Sequence, residues 1–288
     1  MEKIDYIKCG SCLNVLKEVH PLFKVSATLN PYVGCPYGCI YCPYKNENRI
    51  GLKTDYLHLL EKKLSSEIEK KPIGLGSITE PYNELEKEYN LSRNTLEIIM
   101  KNKFPVNIFT KSNIALRDIN MFKDYSNEGL LAVSVSIPTA DSKLSKTLEP
   151  NVTILELRLN LLQELKKNNI FAGIVLAPII QFVNDSKKEL EEVFDCVKSS
   201  AGYILPGVLN LDTPSLKDRM SRFMAEKYPK DKDAFLELYR TNGIFDNSYT
   251  EEINDILENL SEKYKVPLFL PLEKGSSEPA DINQEMLK

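Results

Sequence analysis

An α/β fold made of parallel β/α units, either an open barrel or a doubly wound sheet, is the architecture this 288-residue sequence predicts. Three observations point to it. Short apolar runs recur about six times and read as buried strands. Stretches with apolar residues at helical spacing alternate with them, the pattern of right-handed crossover units. The polar residues suited to chemistry fall within or just after the strands, where a parallel barrel gathers its site on one face.

The elements follow in chain order. A short strand precedes a cysteine-bearing loop at residues 35–42. Leu57 to Ile68 has helical periodicity, and Pro72 to Thr79 reads as a buried strand. Leu91 to Met100 is expected as a helix opened by Ser92 at its N-cap, with Pro105 to Thr110 as the next strand. Leu130 to Ile137 is a strand, Val152 to Lys167 a helix and Phe171 to Ala177 a strand. Ser186 to Ser199 is a helix and Ala201 to Leu209 the last strand.

Pro214 to Glu226, Asp231 to Arg240 and Glu251 to Tyr264 then read as amphipathic helices, expected to cap the open side of the barrel and shape the substrate pocket. Residues around Gly275 to Pro279 read as a mobile tail. The expected organisation is an N-terminal extension over 1–24, a barrel over 25–210, a helical cap over 211–270 and a tail over 271–288.

Composition bounds the function. Thirty-seven Lys and Arg against 41 Asp and Glu give a net charge of -4, so nothing draws the whole molecule to nucleic acid, and such binding would need a local basic groove. No apolar run reaches the length of a membrane span, and the chain reads as cytoplasmic.

The most informative feature is Cys35, Cys39 and Cys42, spaced C-x3-C-x2-C. Three thiolates on one short loop, with no fourth cysteine nearby, suit a [4Fe-4S] cluster with one iron left open. Gly34 and Gly38 fit that reading, since residues without Cβ let a tight loop reach positive φ and bring backbone N–H groups near cluster sulfurs. Structural zinc would need a fourth ligand, and the two histidines, His20 and His58, lack knuckle spacing. A disulfide framework does not suit a long chain without a signal peptide.

With Tyr41 just before its last cysteine, this motif resembles the signature of the radical S-adenosylmethionine (AdoMet) superfamily. The stretches Leu29-Asn-Pro-Tyr32, Gly76-Ser-Ile-Thr-Glu-Pro-Tyr82 with Glu86, Thr110-Lys-Ser112 with Arg117-Asp118, and Leu148-Glu-Pro150 with Arg158 are similar to its spore photoproduct lyase-like branch, over about residues 24 to 210. The resemblance implies a partial (β/α)6 radical-AdoMet barrel with C-terminal capping helices. It implies an enzyme in which AdoMet chelates the open iron and is cleaved reductively to methionine and a 5′-deoxyadenosyl radical that abstracts hydrogen from substrate. A one-electron donor such as a ferredoxin or flavodoxin would be the partner.

Residue by residue, the resemblance implies that Cys35, Cys39 and Cys42 ligate the cluster and that Tyr41 lies against adenine. Thr79 and Glu80 would hold the methionine amino group, and Lys111 would pair with the AdoMet carboxylate. Ser134 or Ser136 would bond the methionine or ribose portion, and Ile179 and Ile180 would form the apolar edge of the adenine site. Glu149 and Arg158 are either an AdoMet contact or a salt bridge that fixes the loop before the long helix.

The sequence departs from the branch in two respects. Spore photoproduct lyase returns a hydrogen atom from a cysteine near its second strand, whereas no cysteine here lies between Cys42 and Cys196. Position 181, often proline in related sequences, is Gln181.

Three cysteines remain. Cys9-Gly-Ser-Cys12 is a candidate redox pair, hydrogen-atom donor or half of a metal site, with a structural role as the alternative. Cys196 is expected to be buried as a small hydrophobe beside Leu190, Val193 and Val197. The substrate is not readable. Nucleic-acid lesion reversal is one candidate, and modification of a peptide or small metabolite is at least as compatible with the charge. A reading from another class is a non-catalytic iron-sulfur or zinc protein.

Overall fold

Strands buried on both faces by neighbouring layers read as near-continuous apolar runs, and the runs at 73–75, 106–110, 131–136, 172–179 and 204–208 pair side by side as one curled sheet. The computed structural model describes residues 4–20, 22–44, 50–66, 69–239 and 247–269. The expected tail over 271–288 lies outside these.

In chain order the elements begin with β1 (Asp5–Lys8), β2 (Asn14–Val15), β3 (Ala27–Leu29), β4 (Tyr32–Val33), β5 (Gly51–Thr54) and α1 (Tyr56–Leu64). There follow β6 (Ile73–Leu75), α2 (Glu86–Tyr89), α3 (Leu91–Lys101), β7 (Val106–Thr110), α4 (Ile119–Asn127) and β8 (Leu131–Ser136). Next come α5 (Ser142–Leu148), α6 (Leu155–Lys167), β9 (Ala172–Ile179), α7 (Lys187–Val197) and β10 (Ile204–Val208). The last described helices are α8 (Pro214–Lys227), α9 (Lys232–Leu238) and α10 (Asn247–Tyr264).

The main sheet runs β10-β9-β8-β7-β6-β3-β2. The six strands β3, β6, β7, β8, β9 and β10 are parallel and sequential, and only β2 is antiparallel. Sequential parallel order with intervening helices makes a half-barrel, matching the predicted partial barrel. Side chains alternate between its faces. Ile108, Val133, Val135 and Ile174 belong to the large core shared with the helices. Phe109, Ala132, Val175, Tyr203 and Leu205 form a smaller cluster, which Leu22 and Phe23 from the β2–β3 hairpin fill. The outer edge at β10 is covered where the Ile204 N–H donates to the Pro267 carbonyl at 2.8 Å.

A second sheet, β1-β5-β4, is absent from the sequence reading. The cysteine loop lies between β4 and β5, so this sheet ties both ends of the loop to the N-terminal segment. Three local expectations are corrected. Helix α3 opens after Asn90, whose φ is 51°, and Ser92 sits in its first turn with the hydroxyl donating to the Pro81 carbonyl at 2.6 Å. The predicted helix from Val152 starts at Leu155. Cys196 is exposed, because the buried stripe of α7 is Leu190, Val193, Phe194 and Val197, and a residue six positions past Leu190 points away from it.

Helices α8 and α9 pack on Leu148, Ile180, Leu209 and the cysteine-loop residues Ile40 and Tyr41. Among the described residues, none from α8 to α10 lines the cavity introduced below. Helices α8 and α9 hold the cysteine loop through Ile40 and Tyr41.

Candidate active site

The face at the C-terminal ends of the parallel strands carries a cavity of ≈ 310 Å³. Cys35, Cys39 and Cys42 all line it. Their loop turns at Gly34 and Gly38, with φ of 77° and 62°, values that a side chain would strain. It is docked by the Ile40 N–H donating to the Leu148 carbonyl at 3.0 Å and closed internally by the Cys42 N–H donating to the Cys39 carbonyl at 3.1 Å. Burial pushes the Cys35 thiol up and the Cys39 thiol up to about 12. Thiolates there need a compensating cation, which an iron-sulfur cluster supplies. Among the described residues no three His, Cys, Asp or Glu side chains converge as a site for one metal ion. Three thiols around one cavity fit a multi-iron cluster.

Glu80, on the loop after β6, is buried and lines the cavity. Its Oε1 accepts from Thr110 Oγ1 at 2.5 Å and from the Tyr82 N–H at 2.9 Å, and its Oε2 accepts from the Lys111 N–H at 2.8 Å. Desolvation raises its pKa despite these bonds. Oε2, with one bond, keeps room for one more donor. Thr79 beside it is held by Asn30, whose Oδ1 accepts from the N–H groups of Ile78 at 3.0 Å and Thr79 at 3.1 Å.

Lys111 also lines the cavity. Its Nζ lies 3.9 Å from Glu149 Oε1 and 5.9 Å from the centre of the Tyr41 ring. Tyr41 donates its hydroxyl to the same Glu149 oxygen, and desolvation with the Glu149 charge drives the phenol pKa well up. Arg158 Nη1 stands 2.7 Å from Glu149 Oε2 as an ion pair without hydrogen-bond alignment, and donates to the Ser136 carbonyl, also at 2.7 Å. Both side chains are buried, so this pair is the salt bridge that fixes the loop before the long helix.

Not every candidate reaches the cavity. Ser136 lines it, whereas Ser134, two residues earlier on the same face, is deeper and engages Asn107 Oδ1 at 2.9 Å and the Tyr203 hydroxyl at 2.7 Å. Ile179 and Ile180 are not among its lining residues: Ile179 is in the helix-side core and Ile180 packs with Leu216 and Met220. Cys9 is buried in the main core and Cys12 packs against it, and neither lines the cavity.

Sequence reasoning missed several neighbours. Phe23, Phe109 and Val175 line the cavity. Strand alternation signals the last two, since Phe109 lies two before Lys111 and Val175 lies two before Ala177, but no local pattern marks Phe23. Arg219 of α8 was missed as well. Its Nε donates to the Ile40 carbonyl at 2.6 Å and its Nη2 to the Cys42 carbonyl.

Comparison with known proteins follows from this geometry. No family profile matches the chain. It is 26% identical over 262 residues to the uncharacterized protein MJ0683 of Methanocaldococcus jannaschii, covering 88% of this chain and 94% of that one. It is 23% identical over 275 residues to the uncharacterized protein Rv2578c of Mycobacterium tuberculosis, covering 90% and 80%. Spore photoproduct lyase complexed with dinucleoside spore photoproduct superposes with a TM-score of 0.63 at 14% identity, over 92% of this chain and 82% of that one. Streptococcus suis SuiB bound to precursor peptide SuiA superposes with a TM-score of 0.59 at 14% identity, over 85% and 49%. In fold, therefore, the chain stands with spore photoproduct lyase and SuiB, both radical AdoMet enzymes.

Proposed function

We propose that the chain is a radical AdoMet enzyme in which Cys35, Cys39 and Cys42 hold a [4Fe-4S] cluster. The observation that carries this is the meeting of those three thiols with Thr79, Glu80, Lys111 and Ser136 in one cavity at the strand ends. A bound cluster supplies the electron that cleaves AdoMet to methionine and the 5′-deoxyadenosyl radical, and a ferredoxin or flavodoxin is the donor proposed to reduce it.

The chain's own residues bind and orient. Lys111, kept near Glu149 and the Tyr41 ring, directs its ammonium at the AdoMet carboxylate. The open position on Glu80 Oε2 accepts from the methionine amino group, with Thr79 alongside. Ser136 meets the ribose or methionine portion, and Tyr41 packs toward adenine.

A lyase of the spore photoproduct type is a narrower form of this reading. The dinucleoside-bound neighbour suggests it, but the net charge of -4 and the lack of any cysteine between Cys42 and Cys196 weigh toward a different substrate.

Anaerobic reconstitution tests the proposal. Protein loaded with iron and sulfide should carry about four irons per chain, change its reduced electron paramagnetic resonance spectrum on AdoMet addition, and release 5′-deoxyadenosine. Iron retention with unchanged cleavage in Cys39→Ala would overturn it.

A further inference from the structure

The cavity has two unlike sets of lining residues. Beside the polar groups assigned above, its lining includes Phe23, Phe109 and Val175, which belong to one apolar cluster. The charged groups among the polar residues already have partners under the radical reading: the open position on Glu80 Oε2 takes the AdoMet amino group and Lys111 its carboxylate.

Phe23 is distinctive in origin. The other lining residues come from the cysteine loop, the strands or the loops at their ends, whereas Phe23 is delivered by the tip of the β2–β3 hairpin. That tip is braced. The Phe23 N–H donates to His20 Nδ1 at 3.2 Å, and the Phe23 ring stacks on His20 at 4.4 Å and leans on Phe109 at 4.3 Å. Accepting that bond places the proton of neutral His20 on Nε2. Burial and the Lys24 charge lower the His20 pKa, which keeps a cation away from the apolar side.

We infer that the Phe23–Phe109–Val175 side is the substrate subsite, that it takes an uncharged hydrocarbon group such as an aromatic side chain of a peptide, and that Phe23 sets its selectivity. This rests on the radical reading above. An ionised group would lose hydration there with no partner. A nucleobase is disfavoured for the same reason, because its hydrogen-bonding edge would face phenyl rings and a valine. An aromatic ring is favoured, since two phenyl rings offer edge and face contacts to a third.

Three probes of similar size decide the question: N-acetylphenylalaninamide, phenylacetate and thymidine, each titrated by ligand-observed nuclear magnetic resonance into anaerobic, reconstituted protein with AdoMet. The amide should bind about tenfold or more tighter than phenylacetate or thymidine. Phe23→Ala should weaken it by about tenfold and should keep the iron content and the AdoMet-induced spectral change. Phe23→Trp should retain the amide. The chain has no tryptophan, so this variant also carries a single tryptophan whose fluorescence, excited beyond the tyrosine band, should respond to the amide.

Equal binding of phenylacetate, tighter binding of thymidine, or amide binding indifferent to Phe23→Ala in a protein with unchanged circular dichroism would each overturn the inference. Iron content and the spectral change, read in the same samples, report separately on the radical reading. If those fail, titration of the iron-free protein with the same probes still tests the subsite.

Discussion

Arg219 and Ile40, 179 residues apart, are joined by a hydrogen bond of 2.6 Å from the guanidinium Nε to the main-chain carbonyl. The same guanidinium reaches the Cys42 carbonyl, so one side chain of α8 holds the cysteine loop at two points. Arg219→Gln should therefore loosen the loop without dismantling the barrel. The expected result is a loss of about 1–3 kcal/mol in urea unfolding and faster release of iron to a chelator from the reconstituted protein.

Lys111→Met keeps the length of the side chain and removes the ammonium. Glu149 retains Arg158 and Tyr41 as partners, so the fold should survive. AdoMet affinity should fall roughly 10- to 100-fold, the worth of one charged hydrogen bond, with iron content unchanged. Equilibrium binding to the reconstituted protein measures it.

Gly76 has a φ of 86°, and a Cβ there would stand 2.5 Å from Pro81 Cδ and 2.6 Å from the Phe109 carbonyl oxygen. A carbonyl in a sheet cannot yield as a flexible side chain can. Gly76→Ala should cost at least about 2 kcal/mol of stability, readable in urea unfolding of the iron-free protein, and should displace the Thr79–Glu80 segment enough to weaken AdoMet binding.

The raised pKa of buried Glu80 has a definite sign in stability. The unfolded chain releases this proton at the ordinary carboxyl value, while the folded chain keeps it longer, so folding is progressively penalised as pH rises from about 4.5 through the native value. In Glu80→Gln that penalty is absent. The stability of the wild type relative to the variant should fall across that window and level off above it, in urea titrations of iron-free protein at stepped pH.

The sequence shows the main strands because β6 to β10 are covered on both faces and read as apolar runs. It hides β1 and β2, whose residues are largely exposed and follow no apolar period. Helix α5 is too short, at seven residues, to establish a period, and α4 buries only Phe122 and Tyr125. Within the site, the cysteines, Thr79, Glu80 and Lys111 are legible because motif and strand end coincide. Ser134 and Ser136 share a face, so alternation cannot say which one stands deeper. Phe23 and Arg219 are invisible because each acts through contacts with distant segments rather than through a local pattern.

The clamp on the cysteine loop also sets an order in time. A ribosome delivers Cys35, Cys39 and Cys42 well before Arg219, and at ordinary elongation rates the 179 residues from Ile40 to Arg219 take on the order of ten seconds or more. During that interval every nascent chain carries its three thiols on a loop that α8 does not yet hold. Only once Arg219 has been made can its guanidinium close over the Ile40 and Cys42 carbonyls, so the loop is at its most open early in the life of the molecule.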